Sequence, residues 1–241
     1  MTNSKTKYEP FRFKQFLVHH DLCSMKVGVD GVLLGAWADV NNCASILDVG
    51  TGSGLIALML AQKNSSATIH AIDIDDSAFQ QTKINFDLSP WKNRMVLHKG
   101  DFSVFESAQK FDLIVSNPPY FSNSSLSSDS SRNIARHNIT LSLEKLIERA
   151  NFLLHPQGKL CIVYPFENLA EVESITDKMH LSIKKLTLVK PNASKSPKRI
   201  LVEITKESSA DRTENELMIE VRPNEFSQEY TTLTKDFYLK F

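Results

Sequence analysis

Cysteine is scarce. Cys23, Cys43 and Cys161 are the three in 241 residues, far apart and without a CxxC pair. That spacing argues against a disulfide framework or a cysteine zinc site, and for reduced thiols. No metal ligand set is expected. Long apolar runs are missing too: none approaches the roughly 18 residues that span a bilayer. The opening MTNSKTKYEPFRF lacks the apolar stretch of a signal peptide. Together these absences predict a cytoplasmic protein. Net charge is absent, with 28 Lys+Arg against 28 Asp+Glu, so the total gives no hint of a polyanionic partner. No repeat appears at solenoid periods.

What is present is the composition of a folded domain, 41% hydrophobic and 23% charged. A chain of 241 residues suits one larger α/β domain with its own core. Charge is uneven although it sums to zero. Eight Lys/Arg lie between Lys178 and Lys206 against one acid, Glu203. Seven acids lie between Glu207 and Glu229, against Arg212 and Arg222. Lys5, Lys7, Arg12, Lys14 and Lys26 make a second basic group. The Lys178–Lys206 band is either a surface for a phosphate backbone or one of two solvated faces of opposite sign.

Residues 1–10 read as a disordered or loosely held tail. Asp30–Trp37 (DGVLLGAW) is a short apolar helix with Asp30 placed to cap it. From Ser45 the chain alternates. Strands are expected at Ser45–Val49, Thr68–Asp73, Met95–His98, Phe111–Ser116 and Lys159–Tyr164, and helices at Leu55–Lys63, Ser77–Leu88 and Leu141–Leu154. Strands separated by helices mean βαβ units and a parallel sheet. Leu181–Val189 and Ile200–Thr205 are joined without a helix and should pair antiparallel at one edge. The expected fold is therefore α/β, with a seven-stranded, mostly parallel sheet containing one antiparallel strand.

Asp48-Val49-Gly50-Thr51-Gly52-Ser53-Gly54 follows a strand and opens a helix, where glycines permit a tight turn and close approach of a ligand. The spacing is GxGxG, not the GxGxxG of a dinucleotide turn. Asp73 ends the next strand, 19 residues after Gly54, where a carboxylate can accept from both hydroxyls of a ribose. Asp101 follows the third strand and can accept from an adenine amino group while Phe102 packs on the ring. Asp48, Asp73 and Asp101 suit a cofactor with an amine, a sulfonium, ribose and adenine but no phosphate, which is S-adenosylmethionine.

Asn117-Pro118-Pro119-Tyr120 falls just past the fourth strand, at the carboxyl edge where open α/β sheets place their sites. An aryl amine is a poor nucleophile because its lone pair is delocalised. Acceptors at the Asn117 side chain and the Pro118 carbonyl would draw the nitrogen toward tetrahedral geometry, on a turn stiffened by proline. Tyr120 would stack on an extruded base. The Ser122–Ser131 stretch beside this motif is either a linker or a substrate-gating loop. His19 and His20 read as surface residues, since adjacent histidines in an extended segment point apart. Leu55, Leu58 and Met59 have the period of a helix core, and the terminal DFYLKF is expected to pack.

DxGxGxG followed by NPPY resembles the Rossmann-like class I methyltransferases, which have a three-layer fold. Phe13–Trp37 (FKQFLVHHDLCSMKVGVDGVLLGAW), ILDVGTGSGLIALMLAQ, FDLIVSNPPYF, the Arg136-His137 region and DFYLKF are similar to the bacterial tRNA1(Val) adenine-N6 methyltransferases. These act on adenine 37, next to the anticodon. The resemblance implies S-adenosylmethionine as donor, the anticodon arm of tRNA as partner and no obligate protein partner. It implies one domain over 1–241, with 1–44 an extension covering the cofactor site and 207–241 a C-terminal extension. Gly50, Thr51, Gly52 and Gly54, with Asp48, Asp73, Asp101 and Phe102, would bind cofactor. Lys26 and Asp30 match the segment over its methionine end, and Asn117 to Tyr120 would handle the adenine. Release-factor-type protein-glutamine N5-methyltransferases also resemble the chain in GTGSG and NPPY. They carry a helical domain before the cofactor fold, whereas 44 residues precede Ser45 here.

Overall fold

Successive strand residues point to opposite faces of a sheet, and the apolar strands of this chain feed two separate cores in that way. The computed structural model describes residues 9–23, 26–119, 141–207 and 212–240. The chain opens with a small hairpin, β1 (Phe11–Arg12) and β2 (Leu17–Val18), and α1 (Val29–Trp37). There follow β3 (Ser45–Val49), α2 (Leu55–Lys63), β4 (Thr68–Asp73), α3 (Asp76–Leu88), β5 (Met95–Lys99) and β6 (Phe111–Ser116). After them come α4 (Leu143–Leu153), β7 (Leu154–Pro165), α5 (Leu169–Lys178), β8 (Ser182–Lys190), β9 (Arg199–Thr205) and β10 (Thr213–Met218). A second hairpin, β11 (Glu220–Arg222) with β12 (Glu225–Phe226), leads into α6 (Gln228–Thr234).

The strand order is β10-β8-β9-β7-β6-β3-β4-β5. Strand β9 runs antiparallel to both its neighbours, and all other pairs of this sheet are parallel. The seven expected strands are present with one antiparallel among them, and β10 adds an eighth at the edge. Its sequence, TENELM, has mostly exposed side chains, so it carries no apolar alternation to announce it, and its glutamates charge an otherwise open edge.

Ile46, Leu113, Val115, Cys161 and Val163 join α1 and α2 in one core. Their alternates Leu47, Ile114, Leu160 and Ile162 join α4 and α5 in the other. The result is three layers. Each fully buried Leu or Ile contributes roughly 1.5–3 kcal/mol. Helix α4 shows the pattern plainly: Leu143, Leu146, Ile147, Ala150 and Leu153 are buried, and the Ser142 side chain caps the helix by accepting from the Lys145 amide.

Asp30 is not the cap of α1. The helix begins one residue earlier, with Gly28 at the cap position and no side-chain cap bond. The Asp30 carboxylate instead accepts from Arg199 Nε at 2.8 Å, because a charged partner outcompetes a neutral amide. Phe237 and Tyr238 of the carboxyl-terminal segment pack as expected: Phe237 is 2% exposed, and its carbonyl accepts from the Lys14 amide at 2.8 Å. Among the described residues no helix is long and apolar enough to cross a membrane. Most of the amino-terminal tail, the Ser122–Ser131 stretch and the Arg136-His137 region lie outside the described residues.

Candidate active site

Strand order reverses at β3, with β4 and β5 on one side and β6 and β7 on the other. Open α/β sheets bind ligands in the crevice beyond the carboxyl ends of the strands at such a point. The glycine turn leaves β3 there and Asn117 leaves β6 there. Between them lies a cleft of two lobes, about 450 Å³ and 390 Å³, which share Gly50, Gly52, Asn117, Pro118 and Pro119 as a common wall.

Asp73, Asp101 and Phe102 line the larger lobe. Asp73 Oδ2 accepts from the Gly52 amide at 2.8 Å and Oδ1 from the Asp75 amide at 2.9 Å. A carboxylate has about four lone-pair sites, so these amides do not exhaust its capacity to accept from a ligand. Burial, and to a lesser degree the Asp75 charge, raises the Asp73 pKa, while the amides of Asp75, Gly52 and Ile74 pull the other way. Asp101 caps the 3-10 turn Phe102–Val104 and accepts from the Ser103 amide at 2.8 Å. It is exposed, whereas Phe102 is 4% exposed beside it.

Gly50 and Gly52 hold φ of +68° and +59°, and a Cβ at either would meet nothing within 4 Å. The turn thus presents bare backbone to open cleft. Gly54 differs: a Cβ there would lie 2.9 Å from the Phe86 ring, so this glycine serves helix packing and lines neither lobe. Asp48 lines neither lobe as well. It is fully buried beneath the turn, where Oδ2 accepts from Thr51 Oγ1 at 2.7 Å and from the Ala57 amide at 3.2 Å. Burial pushes its pKa up to about 7, against those two hydrogen bonds, and nearby Asp73 raises it further.

Lys26, Asp30 and Thr51 line the smaller lobe. Asn117 is half-buried, Pro118 buried and Pro119 exposed; Tyr120 lies outside the described residues. Ser116, just before them, donates to the Val49 carbonyl at 2.9 Å and ties the two strand ends together.

The sequence reading missed Cys23, Asp75 and Leu141 in the larger lobe, and the polar face of α3 that organises the cleft. Asn85 Nδ2 donates to the Ser53 carbonyl at 2.7 Å and to the His19 carbonyl at 2.8 Å, and Asn85 Oδ1 accepts from the His19 amide at 2.9 Å. Gln81 Oε1 accepts from the Leu22 amide at 2.9 Å, and Thr82 Oγ1 donates to the Gly52 carbonyl at 2.8 Å. These bonds pin residues 19–22 against the glycine turn and bring Cys23 to the cleft, where burial, then Asp73 and Asp75, push its thiol up to about 12. His19 and His20 are half-buried, and for His19 the backbone makes these contacts. Gln81 and Asn85, four apart, were the available signal: polar residues on a helix face that also carries Ala78 and Phe86.

The cleft fits S-adenosylmethionine: bare glycine backbone, carboxylates at the ends of two successive strands, and no basic nest for a phosphate in the larger lobe among the described residues. A model of the Methyltransferase small domain matches residues 32–193. A tRNA1(Val) (adenine(37)-N6)-methyltransferase of Parabacteroides distasonis is 46% identical over 232 residues, covering 95% of this chain and 98% of the relative. A crystal structure of a predicted O-methyltransferase from Agrobacterium tumefaciens superposes with a TM-score of 0.68 at 20% identity, over 86% of this chain and 96% of the other. A glycopeptide N-methyltransferase solved with S-adenosyl-L-methionine has a TM-score of 0.54 at 13% identity, over 74% of this chain and 95% of that one. Fold and cleft are those of a class I, S-adenosylmethionine-dependent methyltransferase. Within that class, the chain belongs to the tRNA1(Val) (adenine(37)-N6)-methyltransferase family.

Proposed function

We propose that the protein methylates N6 of adenine 37, beside the anticodon of tRNA1(Val), and does so in the cytoplasm as a single domain over 1–241. The observation that carries the reading is the Asn117-Pro118-Pro119 turn, which forms the wall common to both lobes of the cleft. Asp73 would hold the ribose hydroxyls of the cofactor, Asp101 and Phe102 its adenine, and Lys26 and Asp30 its methionine end. Residues 1–44 would then cover the cofactor site, with 207–241 as an outer extension. Asp48 and Gly54 act one layer below, by shaping the turn that carries Gly50, Thr51 and Gly52.

When bound, S-adenosylmethionine supplies a methyl group already activated by its sulfonium. The chain's own task is to prepare the acceptor nitrogen. The Asn117 side-chain oxygen and the Pro118 carbonyl accept the two N–H bonds of the amine and draw its lone pair out of ring conjugation. Proline fixes φ at this turn, so both acceptors are in place before the base arrives. The nitrogen sheds a proton only after it carries positive charge, so a strong base is not needed. Tyr120, next in the sequence, is suited to stack on the extruded base.

The test is transfer of labelled methyl groups to unmodified tRNA, followed by nucleoside analysis. N6-methyladenosine should form with the wild type. Asn117→Ala should lower kcat by about 10²–10³, the usual loss for one preorganised hydrogen-bonding group, with cofactor affinity changed by less than about threefold. Label on a protein glutamine and none on tRNA would overturn the reading.

A further inference from the structure

The basic band Lys178–Lys206 does not act as one surface. Lys178 pairs with Glu144 at 2.5 Å, Lys190 with Glu216 at 2.8 Å and Arg199 with Asp30 at 2.8 Å. Lys206 Nζ donates to the Leu154 carbonyl at 2.9 Å, and Lys185 Nζ sits 4.5 Å from the Trp37 ring centre. Lys195 and Lys198 are exposed and make no ion pair among the described residues. Both lie in the loop 191–198, between β8 and β9.

Topology puts this loop on the rim of the active site. Strand β8 runs parallel to β7, so its end at Lys190 shares the edge where β6 delivers Asn117, while Lys178 and Lys206 lie at the opposite edge. Ser116 pairs with Ile162, Ile162 with Val202, and Pro165 with Arg199. The base of the loop therefore stands about three residues, roughly 10 Å, above the level of Ser116 and two strands, roughly 10 Å, to the side. Arg199, its first residue on the return, clasps Asp30 of the smaller lobe.

The loop is also held rigidly. The Lys198 amide donates to the Val189 carbonyl at 2.9 Å, the Phe166 amide to the Lys198 carbonyl at 3.1 Å, and the Glu220 amide to the Pro191 carbonyl at 3.0 Å. Asn192 Oδ1 accepts from the amide and hydroxyl of Ser194 at 3.1 Å and 2.8 Å. With the backbone already braced, only the two lysine side chains have freedom left to lose when they meet an anion.

We propose that the β8–β9 hairpin tip is the RNA-docking element of this enzyme: Lys195 and Lys198 hold backbone phosphates of nucleotides flanking the base that enters at Asn117. The proposal rests on the tRNA reading above and names the face that the substrate meets. Phosphate contacts of this kind set register and affinity without reading sequence.

The experiment compares full-length wild type, Lys195→Ala/Lys198→Ala and Lys178→Ala/Lys206→Ala with unmodified tRNA across a salt series. For the hairpin pair, KM for tRNA should rise about tenfold or more, with kcat at saturating tRNA within about twofold. The slope of log affinity against log salt should become shallower by about one to two, since each phosphate contact contributes about 0.7–0.9. Affinity for S-adenosylmethionine, which also reports folding, should not move, and the opposite-edge pair should behave as wild type. In a separate measurement, Ser196→Cys carrying a photo-crosslinker should label the anticodon arm. An unchanged KM and salt slope in the hairpin pair, or labelling confined to the acceptor arm, overturns the proposal while leaving tRNA methylation intact. Wild type that methylates no tRNA removes both.

Discussion

Gly52 has φ +59° and open cleft where a side chain would begin. Gly52→Ala therefore adds roughly 1–2 kcal/mol of left-handed strain and puts a methyl group into the open cleft, which on the proposed reading holds the donor. Affinity for S-adenosylmethionine, measured by calorimetry, should fall at least about tenfold, which is 1.4 kcal/mol; an unchanged affinity would mean the turn does not face the cofactor. Asp48 gives a pH signature. Its carboxyl is raised by burial from an ordinary 3.8 to about 7, so between those values the folded state keeps a proton that the unfolded chain has lost. Its contribution to stability is complete below about pH 3.8 and lost as pH rises through about 7. Urea unfolding of wild type and Asp48→Asn should show the wild type's relative stability declining from pH 4 to pH 8, and a flat difference would contradict the burial argument. The acids at strand ends, Asp73 and Asp101, were readable because motif spacing fixes where a strand stops. The direction in which Asp48 points was not readable: DxGxGxG contains an acid at that position, yet only the packing of α2 over the turn decides that it faces inward.

Helix α3 does more than fill a layer. Its buried Asn85 holds three backbone groups, and Asn85→Ala would leave the Ser53 carbonyl and both polar groups of His19 without that partner. Unfolding free energy should drop by on the order of 3 kcal/mol, and cofactor affinity should weaken with it as residues 19–22 loosen from the turn. Urea unfolding and calorimetry on the same variant check both; a loss of stability with unaltered cofactor binding would show that this segment does not shape the cleft. Elements with strong apolar periods were legible in the sequence, as in β3 and α4, because one residue choice sets both local conformation and burial. Helix α5 and strand β10 were not read. Strand β10 is specified by its neighbours: its backbone pairs with β8 while its side chains stay mostly in water.

At the scale of the molecule, the reversal at β3 divides the rim into two. Turns after β3, β4, β5 and β6 together line the larger lobe, and the β8–β9 hairpin stands at the same edge of the sheet. On the proposed reading, the first three face the donor, and the turn after β6 with the hairpin faces the acceptor. Sites that share no partner contribute additively, within about 0.3–0.5 kcal/mol. The free-energy cost of Gly52→Ala combined with Lys195→Ala, read from kcat/KM at subsaturating cofactor and tRNA, should equal the sum of the single costs within that margin. Coupling above about 1 kcal/mol would show the two halves to be mechanically joined. Because β9 turns back between β7 and β8, that side of the sheet ends in a hairpin where the other side has strand-to-helix turns. A hairpin can be lengthened, shortened or recharged without moving the strands that hold it. On the proposed reading, the reversed strand thus puts the cofactor turn and the docking hairpin on different connections of one sheet, so that either can be altered without rebuilding the other.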